Sequence, residues 1–210
     1  MDYFAVYVGK TRLLRAIATL CRHLWIALMA AALMAPGMAV EAAAKTYLEI
    51  ALGSLKSLPG DARLREDLET DIAAQANVYR QSKGIGALQT SIALRDAARA
   101  QAVDMMLNGY VGHKASSGHE FDSRMRAFLG SPMSLPQMAE NAARDTQKGE
   151  ANATKARNLF QQWVGSRPHR KTLLNSGYAF VSTGVVQRGN KIWAVQIFFA
   201  RLPEGTKLNQ

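Results

Sequence analysis

The fold is decided by the stretch Lys191-Ile192-Trp193-Ala194-Val195-Gln196-Ile197-Phe198-Phe199-Ala200-Arg201-Leu202. Its valine, isoleucine and aromatic residues predict a β-strand. Side chains of a strand alternate between its two faces, so Ile192, Ala194 and Phe198 point one way. Trp193, Val195, Ile197 and Phe199 point the other way. Both faces are apolar, and both must therefore be covered by other parts of the chain.

A second strand precedes this one. Residues Tyr178 to Gln187 have the same composition, and Arg188-Gly189-Asn190 has the residues of a tight turn, so the pair predicts an antiparallel hairpin. Amphipathic helices elsewhere in the chain are available to cover the two faces. We therefore expect an α+β fold, a three-layer α-β-α sandwich with a small antiparallel sheet in the middle.

Apolar residues at helical spacing predict the covering helices. The first runs from Thr46 to Leu58. The second is capped by Asp61 and has an apolar stripe at Leu64, Leu68, Ile72, Ala76 and Tyr79. The others run from Ser91 to Asn108, from Asp122 to Leu129, and from a cap at Asn152 through the apolar residues Ala156, Leu159, Phe160 and Trp163. The glycines and serines of residues 108–119 indicate a loop. Gln137 to Ala139 predicts a short strand that leads to a turn at Glu140-Asn141.

Pro168 marks a further boundary. The residue before a proline avoids helical backbone, so Arg167 is expected to leave the preceding helix and His169 to follow that helix end. A polar side chain in such a position can face a cleft.

The N-terminus has the features of a secretory leader. Four basic residues precede the charge-free run from Leu24 to Val40, and small residues follow it. We expect a cleaved signal peptide at residues 1–44, with an uncleaved membrane anchor as the alternative, because the run is near the lower length limit of a spanning helix. The only cysteine, Cys21, falls in this segment, so the exported part would contain no internal disulfide. The alanine-rich leader favours a bacterial source.

The chain is basic, with a formal net charge of +10 that falls to +8 when the four basic and two acidic leader residues are removed. Such a balance favours anionic surfaces, and association with a membrane or cell-wall surface is an expectation. The basic residues are spread singly along the chain, without the aromatic-interleaved stripe of a nucleic-acid groove, so we expect no nucleic-acid partner.

Several short segments, taken in order, resemble a bacterial CAP (SCP-like) domain, the superfamily of the cysteine-rich secretory and pathogenesis-related proteins. They are Asn77-Val78-Tyr79-Arg80, Gly84, Leu88, Gly112-His113-Lys114-Ala115-Ser116, Glu140-Asn141, Trp163, Ser166, His169-Arg170, Gly184, Trp193, Gln196 and Phe198. The resemblance covers about residues 66–201 and implies an α-β-α sandwich. We assign residues 45–65 to an N-terminal helical extension, 66–203 to the CAP domain and 204–210 to a C-terminal tail.

The resemblance also implies a cleft lined by two histidines and acidic residues. By position, His113, Glu140 and His169 belong to that set, and Glu120 is nearest to the family's other glutamate. Asn141, Ser166 and Arg170 are expected to support the cleft.

Two imidazoles and a carboxylate can hold a zinc ion with one position left open for water or substrate. The three residues are widely separated in the sequence and give no compact metal signature. Without a metal, the same groups can bind a polar ligand, act as an acid-base pair, or only hydrogen-bond each other and tie loops to the sheet. No residue is assigned as catalytic.

Two functions are expected from this set. The first is a secreted or periplasmic module that binds a lipid, a sterol or another cell-envelope ligand through the cleft. The alternative is a zinc-dependent hydrolase that uses the same residues. Family membership alone does not imply an enzyme, so the binding module is the first choice.

Overall fold

The computed structural model describes residues 47–130, 134–202, 206 and 208. The predicted leader lies outside this range, as does most of the predicted C-terminal tail. None of the helices in the range has the length and apolar character needed to cross a membrane.

The described residues form six helices and five strands. Residues 47–56 are helix α1, and the others are β1 (Ala62–Leu64), α2 (Glu66–Gln81), β2 (Gln89–Thr90), α3 (Arg95–Asn108), α4 (Phe121–Phe128), β3 (Met138–Asp145), α5 (Ala153–Gly165), α6 (Arg167–Leu173), β4 (Phe180–Arg188) and β5 (Lys191–Phe199).

The strands form one sheet in the order β1-β4-β5-β3. These four strands pair antiparallel, and the two-residue β2 adds a parallel pairing to β4. The predicted hairpin is confirmed, with Arg188 opposite Lys191 across a two-residue turn. Gly189 has a φ of 58° in that turn, a conformation that glycine adopts without strain. Strand β3 pairs with β5 and lies at one end of this order.

Two hydrophobic cores lie on opposite faces of the sheet, as the alternation in β5 predicts. Trp193, Val195, Ile197 and Phe199 join the core that contains α1, α3 and α4. Ile192, Ala194 and Phe198 join the core that contains α2, α5 and α6. Every residue from Ile192 to Phe199 is buried. The expected three-layer α-β-α sandwich is therefore confirmed.

Helix α3 lies against the sheet at Gly184 in β4. A Cβ atom at Gly184 would stand 2.2 Å from the Arg99 backbone nitrogen and 2.4 Å from the Ala98 carbonyl carbon. The neighbouring alanines of α3, Ala97 and Ala98, are fully buried. Small residues on both sides thus allow backbone-to-backbone contact between helix and sheet, as the alanine-rich face of this helix predicts.

The helix predicted to start at Asp61 begins later, at Glu66. Asp61 does not cap it, since its carboxylate pairs with Arg188 Nε at 2.9 Å. Leu64, expected in the helical stripe, belongs to β1 and pairs with Val186. These residues instead pair as a strand with the edge of β4, so a tertiary pairing overrides the local helical pattern.

Of three other predicted boundaries, two differ in the structure and one is confirmed. The helix expected from Ser91 begins at Arg95, because Ser91 continues the pairing of β2 by donating its N–H to the Val181 carbonyl. The strand expected at Gln137 to Ala139 is longer, and Glu140 and Asn141 lie within it instead of in a turn. The predicted cap at Asn152 is confirmed, since its side chain accepts hydrogen bonds from Thr154 N and Lys155 N.

The prediction for His169 was wrong in its local structure. Only Ser166 is extended. Arg167 begins a new helix, α6, with Pro168 in its first turn and His169 within it. The fixed φ of proline suits the first turn of a helix, where its missing N–H has no partner to lose.

Residues 47–64, expected as an extension, pack onto the rest of the domain. Tyr47 and Ala51 of α1 are buried in the core with α3 and α4, and β1 is part of the sheet. Residues of the predicted extension, 45–65, therefore contribute to both the core and the sheet.

We expect Gly184→Ala to destabilise the domain by about 3 kcal/mol, because the added methyl group meets backbone atoms that cannot rotate away. The free energy of unfolding in urea measures this effect. Gly165→Ala is the matched control, since a Cβ there has no neighbour within 4 Å, and it should change stability by less than about 1 kcal/mol. Equal effects of the two substitutions would contradict the close approach.

Candidate functional site

Three of the predicted site residues, His113, Glu140 and His169, lie close together at strand β3. Glu140 and Asn141 are successive residues of β3, so their side chains point to opposite faces of the sheet. Glu140 points to the layer that contains α4, and Asn141 points to the layer that contains α6. A site at this edge therefore receives side chains from both layers.

The carboxylate of Glu140 is held by Arg124 of α4. Arg124 Nη2 lies 2.9 Å from Glu140 Oε1 and 2.8 Å from Oε2. The side chains are 0% and 1% exposed, so the pair is removed from water. Such a pair is retained because each charge compensates the other, and losing one partner would leave a buried charge alone.

His113 contacts the same carboxylate from the loop between α3 and α4. Its Nδ1 lies 3.0 Å from Glu140 Oε1, and its side chain is 51% exposed. Because the carboxylate only accepts hydrogen bonds, His113 Nδ1 carries the proton in this contact. In the neutral ring, Nε2 is then the free acceptor.

Backbone contacts fix the position of this loop on both sides of His113. Arg124 Nη2 donates to the His113 carbonyl at 2.9 Å, and Gln101 Nε2 donates to the Gly112 carbonyl at 2.8 Å. Asp104 of α3 accepts hydrogen bonds from the backbone N–H and the hydroxyl of Ser116. The loop is therefore anchored to α3 and α4 and does not depend on a ligand for these contacts.

His169 approaches from the opposite layer. Asn141 Nδ2 donates to the His169 carbonyl at 3.1 Å, which ties α6 to β3. The His113 and His169 rings meet edge to face, with centroids 6.4 Å apart. Partial burial lowers the pKa of His169, and the charge of His113 lowers it further, so both effects favour the neutral ring.

A groove beside His169 has mostly apolar walls. It has a volume of about 420 Å³, and its lining includes Val111, Ala142, Trp163, Ser166 and His169. Val111 is 43% exposed and adds an aliphatic side chain to the wall of this groove. The site thus combines two imidazoles with an apolar recess, a combination suited to a ligand with a polar and an apolar part.

The structure brings some of the predicted residues together and separates others. His113 and Glu140 touch, His169 lies beside His113, and Ser166 lines the groove. Glu120 lies on the surface and pairs with Lys114 at 2.9 Å, where both side chains are well exposed. The remaining supporting residue, Arg170, donates to the Val164 carbonyl and borders a different cavity.

A zinc site built on His113, Glu140 and His169 does not fit this arrangement well. Glu140 already faces the guanidinium of Arg124, so a metal ion bound there would stand close to a buried positive charge. Within residues 47–130 and 134–202, no group of three or more histidine, cysteine or acidic side chains is arranged to hold a metal. We therefore derive no reaction step through a metal.

Comparison with known sequences decides the family. Residues 74–198 match the Cysteine-rich secretory protein family, CAP. The chain belongs to this family. The resemblance read from the motifs is confirmed, and the CAP match includes the three clustered residues His113, Glu140 and His169.

A bacterial relative supports the assignment to the CAP family. The uncharacterized protein YkwD of Bacillus subtilis (strain 168) is 32% identical over 129 residues, which are 61% of this chain and 46% of the relative. This chain thus matches less than half the length of that relative.

Two solved structures have a similar fold. An extracellular protein containing a SCP domain from Bacillus anthracis str. Ames has a TM-score of 0.53 and 22% identity, covering 65% of this chain and 41% of its own. An outer surface protein from Borrelia burgdorferi has a TM-score of 0.55 and 15% identity, covering 67% of this chain and 99% of its own. At these identities the likeness concerns the CAP fold alone.

Sequence reasoning missed Arg124, which pairs with the central carboxylate of the CAP site. A signal was present, since Arg124 falls three residues after Phe121 and four before Phe128 and therefore shares their helix face. An arginine inside an apolar stripe is a buried cation that needs a partner. The sequence alone does not identify that partner, because Glu140 lies in a different element.

We expect Arg124→Leu to destabilise the CAP domain by about 3–5 kcal/mol, because it leaves the Glu140 carboxylate buried without its cation. Urea unfolding of Arg124→Leu, Glu140→Gln and the double variant measures the coupling. The double variant should be more stable than Arg124→Leu alone, since Glu140→Gln removes the uncompensated charge. Strictly additive losses would contradict the ion pair.

We expect NMR titration of the imidazole nitrogens to place the pKa of His169 below its ordinary value of 6.5. In His113→Ala this pKa should rise but stay below 6.5, because the charge of His113 is gone while burial remains. Because the pKa of His169 is lower in the folded state than in the unfolded state, the neutral ring stabilises the fold above the unfolded pKa. This contribution is lost as the pH falls through the folded pKa. A pKa of His169 at or above 6.5 in the unmodified protein would contradict this account.

Proposed function

We propose that this chain is an exported bacterial CAP domain that binds a small amphiphilic ligand of the cell envelope, a lipid or a sterol. In this proposal the ligand lies in the groove beside His169. Its polar part meets His113 and His169, and its apolar part lies against Val111, Ala142 and Trp163.

The observation that carries the proposal is the engagement of Glu140. For a carboxylate to act as a general base or a metal ligand, its oxygens must be able to reach the reacting group or the ion. Glu140 is 1% exposed and faces Arg124 and His113, so its oxygens are used inside the protein. The groups that remain accessible are the two imidazoles, an apolar wall and the polar side chains of Arg144, Gln162 and Ser166. With the carboxylate engaged, this set suits binding better than hydrolysis.

The chemistry of the imidazoles indicates which polar groups fit. With Nδ1 of His113 donating to Glu140, its Nε2 can accept a hydrogen bond from a hydroxyl group. When the ring is protonated, Nε2 donates instead and suits a carboxylate or a phosphate. A sterol hydroxyl or a fatty-acid head group therefore meets a complementary partner.

The location outside the cytoplasm is supported by the leader predicted at residues 1–44 and by the two solved structures of similar fold, which belong to an extracellular and an outer surface protein. A secreted or periplasmic protein would meet envelope lipids directly.

The alternative, a zinc-dependent hydrolase, stays a prediction. It requires His113 and His169 to hold the metal without a freely available Glu140. Calorimetry with zinc chloride tests it. Uptake of zinc by the unmodified protein that is lost in the His113→Ala/His169→Ala variant would favour the hydrolase over the binding module.

We expect the protein to bind dansyl-labelled undecanoic acid, measured as an increase in dansyl fluorescence, and Val111→Asp to weaken this binding at least about tenfold. A carboxylate placed in the groove both removes apolar surface and repels the acid group of the probe. Val111 is partly exposed, so the variant should fold.

Val78→Asp is the matched control, since Val78 is also exposed and lines a separate groove between α2 and α5. It should leave the affinity for the probe within about twofold. Loss of binding in Val78→Asp with none in Val111→Asp would move the site to that groove, and no binding by the unmodified protein would refute the proposal.

A further inference from the structure

The positive charge of this chain is unevenly distributed along the sequence. Residues 45–150 contain 13 basic and 13 acidic side chains and are formally neutral. Residues 151–210 contain nine basic side chains and a single acidic one, Glu204. The net charge of +8 that remains without the leader therefore comes entirely from this C-terminal part of the chain.

Some of these nine basic side chains are neutralised in the fold. Lys155 is buried and lies 3.4 Å from Asp145, and Arg188 pairs with Asp61 at 2.9 Å. The densest remaining group is on α6, where Arg167, Arg170 and Lys171 fall close together in the sequence, so the expectation that basic residues are spread singly does not hold on this helix. None of the three forms an ion pair within the range that the structure describes.

These three cations surround a single cavity. It has a volume of about 450 Å³ and is lined by Arg167, Pro168, Arg170, Lys171 and Leu174. Arg170 is held in place by its hydrogen bond from Nη1 to the Val164 carbonyl at 2.8 Å, while Arg167 and Lys171 are exposed. A concave surface with three positive charges and no acidic side chain in its lining attracts an anion.

The cavity is separate from the groove beside His169. In a helix, residues 167, 170, 171 and 174 share one side, whereas Ser166, His169 and the buried Leu173 lie on another. The two sides of helix α6 thus have different roles: one places Leu173 in the core and His169 at the groove, and the other turns the basic side chains to this cavity.

We propose that the basic side of α6 binds the phosphate head groups of anionic phospholipids and holds the protein at a membrane surface. Guanidinium groups match phosphate oxygens in geometry and charge. Pro168 and Leu174 add apolar surface between the cations, which suits the glycerol and upper chain region of a phospholipid better than a fully hydrated polyanion. The net positive charge of the chain adds long-range attraction to an anionic surface.

This inference does not depend on the function proposed for the groove. Val111 lines the groove and not the basic cavity, so Val111→Asp should leave membrane binding unchanged. Failure of one proposal is therefore distinguishable from failure of the other.

Co-sedimentation of the chain without its predicted leader, residues 45–210, with vesicles tests the inference. The vesicles contain phosphatidylcholine either alone or with phosphatidylglycerol at about one third of the lipid. We expect binding only to the second kind, and a loss on raising the ionic strength from about 50 to 500 mM, because salt screens exposed charges. Each cation near an anionic surface contributes about 1 kcal/mol, so Arg167→Gln/Lys171→Gln should bind about 30-fold more weakly.

The control is Lys191→Gln/Arg201→Gln, which removes the same net charge from exposed positions outside the cavity. Its binding should stay within about threefold of the unmodified protein. Equal losses in the two double variants would mean that net charge alone acts and would overturn the site. Full displacement by inorganic phosphate at about 10 mM, preferential binding to soluble polyphosphate, or absence of vesicle binding would overturn the assignment to phospholipid.

Discussion

The two-sided burial of β5 is the constraint on which the rest of the structure depends. A strand whose residues from Ile192 to Phe199 are all buried requires a helical layer on each face. The chain meets this requirement with α1, α3 and α4 on one face and α2, α5 and α6 on the other. Close contact at Gly184 then fixes how near α3 lies to the sheet. The positions of the site-bearing loop and of α6 follow from this layering.

The site exists because β3 ends the sheet. At an interior strand, side chains of opposite layers are kept apart by the neighbouring strands. At β3, Glu140 and Asn141 point to opposite layers, yet the loop of His113 and the helix of His169 can meet around the open edge. Two rings that come from different layers thus approach to 6.4 Å, although the two histidines lie far apart in the sequence.

Much of the fold could be predicted from local patterns, since the hairpin, the two apolar faces of β5 and the cap at Asn152 each depend on neighbouring residues. The errors occurred where distant segments decide the outcome. Leu64 fits a helical stripe but is taken up by the edge of β4, and Glu140 looks like a turn residue until Arg124 makes its burial possible. Pro168 was ambiguous, because proline both ends and begins helices. The set of His113, Glu140 and His169 came from the family resemblance, and no spacing rule would have found it.

The Arg124–Glu140 pair also affects the electrostatic character of the recess that solutes meet. An isolated carboxylate behind two imidazoles would make this part of the surface negative and would disfavour acids. The guanidinium of Arg124 cancels that charge, so the buried pair adds no net charge to the recess. The charge that a solute meets there is then set by the groups that line the recess, among them the guanidinium of Arg144 and the imidazole of His169.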